Sequence, residues 1–106
     1  MENTKTEMEA FLRDFRIKLE IWGIVFRDDR GKNLQTLLDL DITPADRMKI
    51  ISDITGSDFH KGPIKDELNN GSDLWVFKKK IKNQEVYIKI TLGLYGNKVI
   101  CISFHI

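Results

Sequence analysis

Cysteine is nearly missing from this chain, with Cys101 the single instance among 106 residues. One thiol excludes an internal disulfide framework and fits a reducing compartment. Proline and glycine are sparse as well, at two and seven, which excludes collagen-like and low-complexity classes. No apolar run nears the roughly 18 residues that cross a bilayer, and no apolar signal stretch opens the chain. A cytoplasmic protein without membrane contact is therefore expected. There is no Walker-type phosphate loop, no Rossmann glycine fingerprint, no nucleophile elbow and no internal repeat. Asp58, His60, Cys101 and His105 come nearest to a metal set, but their spacing matches no usual ligand pattern, so neither metal nor cofactor is expected.

What is present is an ordinary globular composition, 42% apolar and 31% charged. A chain of this length sustains one core, so residues 1–106 are expected to form a single domain. The net charge of +1 hides an uneven distribution: residues 1–57 sum to −2 and residues 58–106 to +3. Both histidines fall in the basic half, where they can add positive charge near neutral pH. A bias of that size attracts polyanions weakly and does not by itself identify one.

The first half reads as helical, over about residues 1–56. Thr4 precedes Glu7 by three and Thr6 precedes Glu9 by three, so either threonine could cap the first helix. Met8, Phe11, Leu12, Phe15 and Leu19 then recur at spacings of three and four, one stripe facing a core. Trp22 to Phe26 suggests a short strand, and Leu34, Leu37 and Leu38 a brief amphipathic helix. In Thr43-Pro44-Ala45-Asp46 a capping threonine, a first-turn proline and an acid at the positive dipole end start another helix. Its buried face would be Met48, Ile51 and Ile54, with Gly56 closing it. Residues 57–63 carry turn residues and read as a loop.

From Leu74 the period becomes two, which predicts an antiparallel meander over about 74–105: Leu74–Ile81, Glu85–Leu92 and Lys98–His105. The fold class is α+β, with N-terminal helices packed on a C-terminal antiparallel sheet. In the middle strand Val86, Ile88, Ile90 and Leu92 point one way, and Glu85, Tyr87, Lys89 and Thr91 the other. In the last strand Ile100, Ile102 and Phe104 form the apolar set, leaving Val99, Cys101, Ser103 and His105 opposite. Tyr87, Lys89 and His105 should then share one polar face.

An imidazole exchanges protons near pH 7, a phenol orients or donates, and ammonium groups stabilise phosphoryl oxygens. Such a set suits attack of a ribose 2′-hydroxyl on its own phosphate, a reaction in which RNA supplies the nucleophile. Single-stranded RNA is the natural substrate because its bases can stack on aromatics. Trp75, Phe77 and Tyr95 are candidate platforms, with simple packing the alternative for Trp75 and Phe77.

Ser57-Asp58-Phe59-His60-Lys61, Trp75, Val86-Tyr87-Ile88-Lys89-Ile90 and Ile102-Ser103-Phe104-His105 together resemble the MqsR family of bacterial toxins, over about residues 46–106. The resemblance implies a RelE-like fold, a ribosome-independent endoribonuclease acting on mRNA, and a cognate antitoxin protein that neutralises it. It assigns catalytic roles to Lys61, Tyr87 and His105, while His60, Trp75 and Lys89 are expected to contact the substrate. His105 stands where the best-known branch has a lysine, Val76 where it has a glutamine, and His60 where it has a tyrosine. In the expected mechanism His105 protonates the leaving 5′-oxygen, Lys61 and Lys89 stabilise the phosphate, and Tyr87 positions it. Lys61 and His60 are both candidates for the base. A non-catalytic RNA-binding or protein-interaction module with the same fold is the alternative.

Overall fold

The computed structural model describes residues 2–29, 31–66, 71–94 and 96–106. The amphipathic stretch at the start folds as α1 (Glu2–Trp22). Met8, Phe11, Leu12 and Phe15 are buried and Leu19 packs against them, as one stripe of a 3.6-residue period must. The helix begins before Thr4, so Thr4 and Thr6 lie in its first turns and do not cap it. Gly23 ends it at φ 86, its N–H donating to the Leu19 carbonyl at 2.9 Å, a left-handed conformation that only glycine adopts at little cost. Trp22 therefore closes the helix, and the short strand that follows is β1 (Ile24–Phe26).

Helix α2 (Lys32–Leu40) buries Asn33, Thr36, Leu37 and Leu40. Of the expected leucine stripe only Leu37 faces the core; Leu34 and Leu38 are exposed, and Asn33, Thr36 and Leu40 complete the buried face. Helix α3 (Pro44–Ser52) starts as its sequence requires. The Thr43 hydroxyl accepts from the Asp46 N–H at 3.1 Å, and the Asp46 carboxylate accepts from the Thr43 N–H at 2.9 Å. Hydrogen bonding from Thr43, its backbone N–H first, holds the Asp46 carboxyl below its ordinary value, because it favours the charged form. Ile51 and Ile54 are buried. Buried with them is Arg47, whose guanidinium lies 3.6 Å from the Phe26 ring centroid and grips the Asp28 carboxylate at 3.0 and 3.1 Å. The helix stops at Asp53 rather than Gly56, which opens a single 3₁₀ turn (Gly56–Asp58) without a left-handed φ.

The sheet has five strands where the alternation predicts three. Strands β2 (Phe59–Ile64), β3 (Leu74–Ile81), β4 (Gln84–Thr91) and β5 (Val99–His105) join β1 in the order β1-β5-β4-β3-β2. All neighbours are antiparallel except β1 and β5, which run parallel. The segment expected as a loop over 57–63 thus mostly forms an edge strand, pairing Phe59 with Phe77, Lys61 with Val76 and Ile64 with Leu74 through two irregularities. Proline fits there because an edge strand has one unpaired side. The chain is α+β, with helices preceding most of a mixed sheet.

A bulge divides β5. Ile90 pairs with Cys101 but Lys89 with Ser103, so Ile102 is the extra residue and the inward face changes phase across it. Val99, Cys101 and Phe104 are fully buried, while Ile100 and Ile102 are only partly so. The expected apolar set Ile100, Ile102 and Phe104 is therefore right only beyond the bulge. Asn33 holds this irregularity. Its amide donates to the carbonyls of Arg27 at 2.7 Å and Ile102 at 3.1 Å, and its oxygen accepts from the Phe104 N–H at 3.0 Å.

Candidate active site

The inner face of the sheet is the one that meets α1. Phe11 stacks on Trp75 with centroids 5.1 Å apart and on Phe77 at 6.1 Å. On the other face, strand pairing aligns side chains in rows, because directly opposed antiparallel residues share a face. One row runs Lys78, Tyr87, His105 across β3, β4 and β5. The next runs Lys61, Val76, Lys89, Ser103 across β2 to β5.

The first row brings the two expected proton-handling groups together. The rings of Tyr87 and His105 stack with centroids 5.4 Å apart and 18° between planes. Both are half-buried, and the His105 Nδ1–H donates to the Ile106 carbonyl at 3.3 Å. This contact depends on the bulge: without the phase change at Ile102, His105 could not share a face with Tyr87 while Cys101 is buried beneath. Lys89 occupies the adjoining row, half-buried. Lys61 shares that row two strands away, at roughly 10 Å by the ordinary interstrand spacing, and is exposed. His60 is exposed at the irregular step between Phe59 and Lys61.

Trp75 does not belong to this face. Its ring is 5% exposed, stacked on Phe11 and tilted against Phe59 at 6.1 Å, and the backbone of Gly62 lies so close that an added Cβ would sit 2.8 Å from it. No ring face is left for a base. Phe77 is wholly buried, and Tyr95 lies outside the described residues. The loose metal set is scattered too. Asp58 binds Lys79 at 3.0 Å and caps the Thr55 N–H at 2.9 Å, whereas Cys101 is buried, its thiol pushed up to about 12 by desolvation. Among the described residues, no three His, Cys, Asp or Glu side chains gather into a metal-holding group.

Two residues join the site that the sequence reading left out of it. Lys78 is the register partner of Tyr87, and its ammonium lies 3.6 Å from the Glu85 carboxylate. The signal was the same alternation that placed Tyr87, since Glu85 precedes it by two. A polar face without deep concavity suits a strand of nucleic acid more than a small molecule. A cavity of about 640 Å³ lies elsewhere, between Ile17, Ile21 and Trp22 of α1 and the chain at Leu92–Gly93. Lys18 closes it by donating to the Leu92 and Leu94 carbonyls, and burial lowers its pKa. The cavity's described lining includes Asp14 and Lys18 but no imidazole.

No helix among the described residues is long and apolar enough to cross a membrane. No family model, curated protein or solved structure matches the chain.

Proposed function

We propose that this protein is an endoribonuclease that cuts single-stranded mRNA by attack of the ribose 2′-hydroxyl, acting in the cytoplasm as the toxin of a type II toxin–antitoxin pair. The observation that supports the chemistry best is the stacked Tyr87–His105 pair, 5.4 Å apart on an exposed sheet face and flanked by Lys78 and Lys89. The RNA brings its own nucleophile, so the face has only to move protons and stabilise charge. His105 protonates the departing 5′-oxygen through Nε2, the ring nitrogen remote from Ile106. Tyr87 orients the phosphate, and Lys89 and Lys61 stabilise the negative charge that gathers on its oxygens. The resemblance of the strand and loop blocks to the MqsR family adds the toxin role and the antitoxin partner.

Val76 modifies this reading. It is fully buried at the centre of the row between Lys61 and Lys89, where the best-known branch carries a polar glutamine, so the sequence preference of cleavage should differ from that branch. The experiment is incubation of the purified protein with a defined RNA in the presence of chelator, followed by mapping of the ends. Fragments ending in 5′-hydroxyl and cyclic or 3′-phosphate are expected. RNA bound but left intact would replace this reading with a non-catalytic RNA-binding module, and no affinity at low salt would leave a protein-interaction module.

A further inference from the structure

We propose that Glu85 is the general base of this site, taking the proton from the ribose 2′-hydroxyl; the inference rests on the nuclease reading above. Three observations carry it. The residues of β3, β4 and β5 on this face include Lys78, Lys80, Tyr87, Lys89, Ser103 and His105, and Glu85 is the one carboxylate among them. It precedes Tyr87 by two on the same strand, about 7 Å along it. Its carboxylate is drawn to Lys78 at 3.6 Å, and Lys78 stands on the opposite side of Tyr87 from His105. Glu85 therefore lies beside the phenol along β4, and His105 lies beside it across the sheet on β5. The attacking and leaving oxygens of an in-line displacement need separate proton-handling groups, and two groups on different sides of the phenol can serve them.

The other candidates fit less well. An ammonium group has no lone pair to accept a proton, and Lys61 lies two strands from Tyr87. His60 is on the edge strand, outside the Lys78–Tyr87–His105 row. Glu85 faces Lys78, its register partner Lys80, and Tyr87. Its side chain is 69% exposed, open to substrate.

The reaction balances with no further reactant. The Glu85 carboxylate takes the 2′-hydroxyl proton as O2′ bonds to phosphorus, the bond from phosphorus to O5′ breaks, and the His105 imidazolium gives its proton to O5′. The products are a 2′,3′-cyclic phosphate and a 5′-hydroxyl. Glu85 is left protonated and His105 neutral, and exchange with water restores both.

The test is the pH profile of kcat/KM for the intact protein and its E85Q, E85D and H105A variants. A bell is expected for the wild type. E85Q should cut about a hundred-fold or more slowly and lose the acidic limb while keeping the alkaline one. E85D should retain an acidic limb at reduced rate, which separates loss of the base from loss of the Lys78 contact. With a nucleoside 3′-(p-nitrophenyl phosphate), whose leaving group needs no proton, H105A should recover and E85Q should not. An E85Q variant with the wild-type acidic limb overturns the assignment of Glu85 and leaves the nuclease reading standing. A wild type that cuts neither substrate overturns both.

Discussion

The two faces of β4 are built from alternate residues of one eight-residue strand, and they divide the labour of the molecule. Val86, Ile88 and Ile90 point inward and are wholly buried. Glu85, Tyr87 and Lys89 point the other way and keep contact with solvent. Each fully buried aliphatic side chain contributes about 1.5–3 kcal/mol of transfer free energy, and that energy fixes the register because a one-residue slip would turn the whole set outward. The polar face contributes little stability of its own, yet its chemistry depends on the register the other face imposes. Stability and activity are thus separable by side, and substitutions can test how cleanly.

The largest effect should come from Phe104→Ala, on the inner face beside His105. Emptying a fully buried aromatic site costs about 3–5 kcal/mol, a large part of an ordinary domain's margin, and urea denaturation should show it. His105→Ala, one residue on, should leave the urea midpoint nearly unchanged and reduce RNA cleavage about a hundred-fold or more. If the two variants lose stability equally, the division between faces is wrong. Asn33→Ala should blur it deliberately, since Asn33 satisfies the Phe104 N–H and the Ile102 carbonyl inside the bulge. A loss of about 1–3 kcal/mol is expected from the orphaned groups, together with slower cleavage as His105 loses its fixed position. Unchanged stability would mean that strand pairing alone holds the bulge.

Away from both faces, Thr43→Ala should cost about 1 kcal/mol without altering cleavage. Its carboxylate partner gives a pH signature. The Asp46 carboxyl is lowered in the folded chain, so its contribution is present above the ordinary value of 3.8 and is lost as pH falls below that toward the folded value. Acid titration of the Thr43→Ala variant should show a smaller loss. Cys101 acts at the other extreme. Burial raises its thiol from 9.0 to about 12, so its contribution is complete below 9.0 and disappears as pH rises through that interval. A disulfide reagent should modify this thiol only when the chain opens.

The parts of the fold that could be read in the sequence were those with one regular period. The α1 stripe from Met8 to Phe15, the Thr43–Asp46 cap and the alternation of β4 each repeat a local rule without interruption. The misreadings fall where a local rule is broken by tertiary contact. Gly62 and Pro63 look like a turn, but pairing with β3 draws them into an edge strand. Asn33 and Thr36 look like surface residues, but the backbone groups of the bulge require an amide inside, which turns Leu34 and Leu38 out. The bulge itself leaves no local mark, so Val99 and Cys101 were assigned to the wrong face while Phe104 and His105 were assigned correctly. For the site, alternation was enough to group Tyr87, Lys89 and His105. Trp75 was misplaced as a candidate platform because an aromatic residue beside a lysine run looks the same whether it packs or binds, and only α1 decides.

The order β1-β5-β4-β3-β2 also has a consequence for synthesis on the ribosome. Among the described strands, the last in chain order is inserted between the first and the three that come between them. Until residues 99–105 have emerged, β1 has no partner and β4 has a bare edge, so the sheet exists only as a fragment. His105 and its phenol neighbour meet at the closing of that gap. A chain cut short before residue 99 therefore lacks the paired strands on which the proposed site is built.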